Sequence, residues 1–276
     1  MMRVGRIPYV NCAPVYGAID RGLVRVQAEL VVGVPTALNA QMAAGRLDVS
    51  VISAVEYARD AERYLLLPDL AISCDGPVQS VLLFATREAE ALGGARVVVS
   101  RSSMTSVALL RLLFREVWRT TPQFEPGDSE TEDLTSLTAP GHLVIGDAAL
   151  TLSSLMRRGL TPFTHVYDLG AMWRAWTGLP FVFAVWVASR TAPVADALAV
   201  HSALLDSRAW GVSHLPLLAA EASARMGLSA AECEAYLSGL DYRLGVSHLQ
   251  GLTDFYRRLA EGGSIGAAPL RFLTAA

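Results

Sequence analysis

Short apolar runs alternate with segments of helical periodicity along most of the chain. The runs of strand length are 3–8, 28–34, 48–53, 96–100 and 180–188. The clearest helical segment is 103–118, in which apolar residues from Val107 to Val117 recur at helical spacing. Strands that alternate with helices predict an α/β fold with mostly parallel sheets.

The alternation occurs twice, and a helical tail follows it. A second strand–helix series starts near residue 88, and 193–258 is rich in alanine and leucine, with helix breaks expected near Gly211, Gly227 and Gly239. Two similar units, the second inserted into the first, predict a two-lobed binding-protein architecture with C-terminal helices.

The lobe boundaries follow from this insertion. We expect lobe 1 to comprise 1–86 and 184–276, including the C-terminal helices, and lobe 2 to comprise 87–183. The chain would then cross between the lobes near 84–90 and 178–184. Strand ends of both lobes would face one central cleft, which is where α/β sheets bind ligands.

The amino-acid composition limits the classes of partner and of enzyme chemistry that are open to this chain. Hydrophobic residues make up 52% of the 276 and charged residues 18%, so the chain can bury a sizeable core. The formal net charge of −3 gives no reason to expect a nucleic-acid partner. All 23 residues counted as Lys+Arg are arginine, and without lysine a Schiff base or a pyridoxal anchor is excluded.

Cysteine and histidine usage argues against a disulfide framework and against a metal site. The three cysteines, Cys12, Cys74 and Cys233, form no CxxC pair, and the five histidines show no HxxH spacing. The N-terminal segment does not resemble a signal peptide, and the apolar run 179–188 is about half the length of a membrane span. These features predict a soluble, cytoplasmic protein with no membrane partner.

Asn11 lies just beyond the end of the first predicted strand, at the edge that faces the cleft. An asparagine there can cap the helix that carries Pro14. Its amide also offers a donor and an acceptor to a ligand, without depending on a protonation state. The position alone leaves both interpretations open.

Several other polar residues lie at strand ends. The segment 100–106 follows a strand and opens a long helix, so its serines, Thr105 and free backbone N–H groups could hold an anion or simply cap the helix. Asp147 at the next strand–helix junction has the same two interpretations. Ser53 and Ser80 lie at or within apolar strands, where a serine is usually a hydrogen-bonded core residue.

Motifs along most of the chain resemble those of the chorismate dehydratases of the futalosine route to menaquinone. The specific motif is RIPYVNCAPVY at 6–16, which is similar to the opening pattern of that family. Later segments resemble its other blocks in the same order: 33–58, 76–84, 103–114, 144–150, 168–186 and 251–259. At one position the chain departs from the pattern, because Gln79 stands where arginine is expected, which puts a cationic side chain there in doubt.

The resemblance implies a type II periplasmic-binding-protein-like fold and loss of water from chorismate to give 3-(1-carboxyvinyloxy)benzoate. It implies that Asn11 and Ser80 act on the reacting groups. Substrate would be bound by Ser53, Ser103, Met104, Thr105, Ser106 and Asp147. No metal or redox cofactor is needed, and the base is either a side chain or a carboxylate of the substrate itself.

Two alternatives remain at this stage. A non-catalytic binding protein for a small anion would share the fold without turnover. The sister lyase, which acts on cyclic dehypoxanthinyl futalosine, also shares it, but opens with a PCPND-like motif where this chain has PYVNCAP. The dehydratase is therefore favoured.

Overall fold

The computed structural model describes residues 1–127, 133 and 136–275. Ten strands in this part of the chain form two five-stranded sheets, and helices pack around each sheet. The first sheet has the order β2-β1-β3-β10-β4. Its strands are β1 (Met2–Arg6), β2 (Ala28–Val32), β3 (Val49–Ser53), β4 (Tyr64–Cys74) and β10 (Phe181–Ser189). The α/β two-lobed fold predicted from the sequence is confirmed.

The second sheet is built entirely from the segment between β4 and β10 and has the order β7-β6-β8-β5-β9. Its strands are β5 (Val81–Ala85), β6 (Arg96–Ser100), β7 (Gln123–Gly127), β8 (Gly141–Ile145) and β9 (His165–Asp168). The helices of both lobes are α1 (Ala13–Asp20), α2 (Pro35–Ala43), α3 (Ala54–Arg59), α4 (Met104–Glu116), α5 (Gly146–Arg157), α6 (Leu169–Thr177), α7 (Val194–Ser213), α8 (Leu215–Met226), α9 (Ala230–Gly239) and α10 (Val246–Glu261).

Both sheets are mixed, which differs from the mostly parallel sheets expected. In the first sheet β1 pairs in parallel with β2 and β3, whereas β10 runs antiparallel to β3 and β4. In the second, β5 runs antiparallel to β8 and β9. The antiparallel strands β5 and β10 are the first strands after each crossing, so the chain enters each sheet in the reverse direction.

The first crossing differs from the one expected, whereas the return lies within the expected range 178–184. The chain leaves the first sheet at Cys74 and enters the second at Val81, so the first crossing is 75–80 and not 84–90. The return lies at 178–180, because β10 pairs with β4 from Phe181 onward. Strand β5 precedes the expected boundary at 86/87 but pairs within the second sheet, and the expected boundary at 183/184 falls inside β10.

Helix α7 runs through Gly211 and ends two residues later at Ser213, so the break expected near Gly211 lies at His214. A Cβ atom at Gly211 would lie 2.0 Å from the carbonyl oxygen of Pro14 in α1. The glycine therefore allows α1 and α7 to pack backbone against backbone. The predicted breaks after α8 and α9 are confirmed at Gly227 and Gly239.

Candidate functional site

A cavity lies between the two lobes, where β1, β3, β6 and β8 end. Its empty space is about 580 Å³, counted together with the part that opens to solvent. The residues that line it come from both lobes and from the first crossing: Ile7, Tyr9, Asn11, Cys12, Pro35, Ser53, Ile72, Val78, Ser80, Val81, Ser103, Ser106, Ile145, Gly146, Phe183 and Ala184. The sequence-predicted residues Asn11, Ser53, Ser80, Ser103 and Ser106 are thus brought together.

Four helices begin at the wall of this cavity. Helices α2 to α5 start beside Pro35, Ser53, Ser103 and Ile145, which all line it. The positive ends of the helix dipoles and the N–H groups of the first turns are therefore directed at one space. No Arg, Lys, Asp, Glu or His is among the described residues of the lining. The cavity is suited to an anion held by backbone and hydroxyl donors.

Asn11 does not cap a helix. It lies in the short 3-10 turn Val10–Cys12, and neither this turn nor α1 receives a side-chain capping bond. The Oδ1 atom of Asn11 is buried and has no hydrogen-bond partner within the protein. A buried polar atom without a partner is costly, and at a cavity wall it is available to a ligand. The helix-cap interpretation of Asn11 is therefore wrong.

Asp147 stabilises the turn that carries Asn11. Its Oδ1 atom accepts a hydrogen bond from the backbone N–H of Val10 at 3.0 Å, across the space between the lobes. Burial raises the pKa of Asp147, and the Val10 N–H and Arg225 oppose that shift. Asp147 is not part of the cavity lining, so the expected carboxylate at the cleft wall is instead a cap for the other lobe.

The residues at the start of α4 fall into two groups, those that line the cavity and those that do not. Ser103 accepts a hydrogen bond from the Ser106 N–H at 3.2 Å and donates one to the Ser106 Oγ at 2.7 Å, and both serines line the cavity. Thr105 is 1% exposed, and its Oγ1 accepts from the Val55 N–H at 3.2 Å. Thr105 and Met104 are outside the lining, contrary to expectation, because successive helical residues point in different directions.

Asn39 was missed by the sequence analysis. It lies in α2, is 3% exposed, and forms a reciprocal pair with Ser53: its Oδ1 accepts from the Ser53 N–H and its Nδ2 donates to the Ser53 Oγ, both at 3.1 Å. The Asn39 Nδ2 also contacts the Met104 Sδ at 3.3 Å, across the lobes. A lone asparagine within a helical pattern carries no signal that would identify this role.

Ser80 is fixed by residues that the sequence did not indicate. The hydroxyl of Tyr236 in α9 donates to the Ser80 Oγ at 2.8 Å, and burial raises the pKa of Tyr236. The crossing beside Ser80 is held by Asp168, which accepts from the N–H groups of Val78 at 3.0 Å and Gln79 at 2.6 Å. Gln79 has a left-handed φ of 59° and does not line the cavity.

The lining offers little acid–base chemistry. Its titratable side chains, among the residues that the structure describes, are Tyr9 and Cys12. Burial raises the pKa of the Cys12 thiol to about 12, so it is neutral near pH 7. In the described ranges no group of three or more His, Cys, Asp or Glu is placed to hold a metal ion, and no helix is long and apolar enough to span a membrane.

Comparison with known proteins agrees with the fold. The sequence profile of the family described as "Menaquinone biosynthesis" matches residues 2–261. A chorismate dehydratase of Thermus thermophilus is 31% identical over 261 residues, which are 91% of this chain and 92% of that one.

Two solved structures resemble the whole chain. A protein from Archaeoglobus fulgidus superposes with a TM-score of 0.78 at 22% identity, covering 96% of this chain and 98% of that one. The alkanesulfonate-binding protein of Xanthomonas axonopodis pv. citri, bound to MOPS, gives 0.70 at 14% identity over 98% and 95%. The fold is therefore of the periplasmic-binding-protein type, and the chain belongs to the menaquinone biosynthesis family.

Proposed function

We propose that this protein is a chorismate dehydratase, a lyase that removes water from chorismate to give 3-(1-carboxyvinyloxy)benzoate in the cytoplasm. One observation carries the proposal: Asn11, whose Oδ1 has no partner, lines a cavity at which four helices begin and whose described lining has no charged side chain. Such a cavity suits a small dianion. The 31% identity to a protein named chorismate dehydratase supplies the substrate.

The reaction requires the protein mainly to orient the substrate and to form hydrogen bonds with it. The proton that leaves is on the ring carbon that bears the enolpyruvyl ether, and this carbon is conjugated through a double bond to the ring carboxylate. Negative charge therefore develops on that carboxylate when the C–H bond breaks. Ser103, Ser106 and the N-terminus of α4 would hold it, because fixed donors stabilise charge that develops in the transition state.

The second half of the reaction completes the balance. The electron pair of the broken C–H bond forms a ring double bond as the neighbouring C–O bond breaks, and the leaving hydroxyl takes up a proton to depart as water. The ring becomes aromatic, which supplies the driving force. No oxidant, reductant or external nucleophile enters this sequence.

The base in this proposal is the enolpyruvyl carboxylate of the substrate. The described lining holds no carboxylate, imidazole or amine, and its thiol is neutral. The substrate carboxylate can reach the neighbouring C–H proton within the same molecule, provided that one conformer is held. Asn11 and Ser80 would hold that conformer or the leaving hydroxyl, with Ser80 oriented by Tyr236.

The test is incubation of the purified protein with chorismate, followed by ultraviolet spectra and mass spectrometry. We expect loss of one water and appearance of a benzoate chromophore, at a rate proportional to protein concentration. The matched variant is Asn11→Ser, which replaces the carboxamide with a hydroxyl on a shorter side chain. Binding without turnover would instead assign a binding protein for a small anion, and turnover of cyclic dehypoxanthinyl futalosine alone would assign the sister lyase.

A further inference from the structure

We infer that Thr105 and Asp147 are positioning residues: each holds a lobe 1 backbone turn from lobe 2, so that closure of the lobes fixes the turn of Asn11 and the first turn of α3 together. This inference rests on the proposed function for its kinetic test, and on geometry alone for its structural test. Neither residue lines the cavity, so neither is proposed to touch substrate.

The first cross-lobe bond joins α4 to α3. Ser53 is the N-cap residue of α3 and lines the cavity, yet its side chain makes no capping bond. Thr105 supplies an acceptor instead, since its Oγ1 lies 3.2 Å from the Val55 nitrogen at the start of α3. The first N–H groups of a helix have no partner within the helix, so this one depends on lobe 2.

The second cross-lobe bond joins α5 to the turn before α1. Tyr9 precedes the turn Val10–Cys12 and gives it no side-chain cap. Asp147 accepts from the Val10 N–H at 3.0 Å, one residue before Asn11. The adjacent Gly146 has a left-handed φ of 63°, and a Cβ there would lie 3.2 Å from the Tyr9 ring, so the two lobes are in close contact at this point.

The two cross-lobe hydrogen bonds are arranged in the same way. Thr105 and Asp147 are each the second residue of a lobe 2 helix. Each accepts a hydrogen bond from a backbone N–H one or two residues from a cavity residue of lobe 1. Separating the lobes would leave both N–H groups without their acceptors. The turn that carries Asn11 and the first turn of α3 would then each lose one restraint. Ser53 itself would keep its two hydrogen bonds with Asn39 in lobe 1. Ser103 and Ser106 are bonded to each other and do not depend on closure.

Two pairs of variants test the inference. Thr105→Val and Asp147→Ala remove the acceptor, whereas Thr105→Ser and Asp147→Asn keep an acceptor oxygen at nearly the same place. We expect kcat for chorismate to fall on the order of tenfold to a hundredfold in the first pair, because small displacements of positioned groups are costly. In the first pair KM should change less than about threefold, since Ser103 and Ser106 are intact. In the second pair both kcat and KM should stay within about threefold of wild type.

Small-angle scattering of the unliganded proteins supplies a readout that needs no turnover. Thr105→Val and Asp147→Ala should have a larger radius of gyration than wild type, and Thr105→Ser and Asp147→Asn should not. Unchanged kcat and radius of gyration in the acceptor-free pair, or equal losses in Asp147→Asn and Asp147→Ala, would overturn the inference. If one acceptor-free variant does not fold, the other decides. Wild-type protein that does not convert chorismate would overturn the proposed function instead, and the scattering comparison would still decide this inference.

Discussion

Two strand-to-helix junctions meet at the cavity, and they differ in whether their polar side chains have hydrogen-bond partners within the protein. At the junction after β6, Ser103 caps α4, and the Ser103 and Ser106 hydroxyls bond each other within lobe 2. At the junction after β1, Asn11 caps nothing, and its buried Oδ1 has no protein partner. The turn that carries it is instead held from the other lobe by Asp147.

The hydrogen bonds of the α4 junction lie within one lobe, whereas the turn of the Asn11 junction is held by a residue of the other lobe. The α4 junction has its internal hydrogen bonds in place, and in the proposed function its remaining donors receive a substrate carboxylate. The Asn11 junction leaves a polar atom unsatisfied, which costs stability unless a ligand pairs with it. We therefore expect changes at Asn11 to affect turnover most, and changes at α4 to affect substrate affinity.

The strongest test of this difference is Asn11→Asp. The change places a carboxylate beside a dianionic substrate and removes the amide donor, so turnover should fall about a hundredfold or more. Thermal stability should stay close to wild type, because no capping bond is lost. Steady-state kinetics with chorismate and thermal unfolding measure the two effects. Asn11→Ser is the companion variant, and full activity in both folded variants would show that the amide does not serve the chemistry.

The second test compares two serines of the α4 junction. Ser106→Ala removes a hydroxyl that lines the cavity without removing the N-cap, so KM for chorismate should rise about tenfold or more if it bonds a carboxylate, with stability little changed. Ser103→Ala removes the cap as well and should also lower the free energy of unfolding by about 1 kcal/mol. Titration of substrate affinity beside chemical unfolding separates the two. Wild-type KM in both variants would remove this junction from the binding site.

Much of this arrangement could be predicted from the sequence, because it follows from the periodicity of apolar residues and from the positions of polar residues at strand ends. The alternation of strands and helices predicted the two lobes, and strand ends predicted Asn11 and the segment 100–106 at one cleft. Carboxyl ends of neighbouring strands meet at the same edge of a sheet, so this prediction needs only local patterns and topology. Ser53 and Ser80 were indicated by the family resemblance and not by their positions.

The rest depends on contacts between residues far apart in the chain. Tyr236 reaches Ser80 across 156 positions, and Asp147 reaches Val10 across 137. Nothing near Thr105 distinguishes it from Ser106, since only the rotation of α4 against α3 decides which hydroxyl faces the cavity. Gly211 illustrates the same limit, because its close contact with Pro14 is invisible in the local sequence.

The smallest expected effect is on the pH dependence of turnover. Neither junction places a carboxylate or imidazole of the described chain in the cavity wall, and the Cys12 thiol has its pKa raised to about 12. Asp147, whose pKa is raised by burial, keeps an acceptor oxygen for Val10 whether or not it is protonated. We therefore expect kcat to vary less than about twofold between about pH 6 and 9, because a substrate carboxylate is ionised throughout. A bell-shaped profile in this range would indicate a protein base.

Stability should depend on pH where turnover does not, which provides the control. Burial lowers the pKa of His142 in β8 from 6.5 to about 4, and burial also lowers the pKa of His201. The unfolded chain therefore takes up protons that the folded protein does not, and the free energy of unfolding should fall as the pH drops from 6.5 toward 4. Chemical unfolding at several pH values measures this, and His142→Phe should reduce the slope. Turnover that followed the same curve would mean that loss of fold, and not the chemistry at either junction, sets its acid limit.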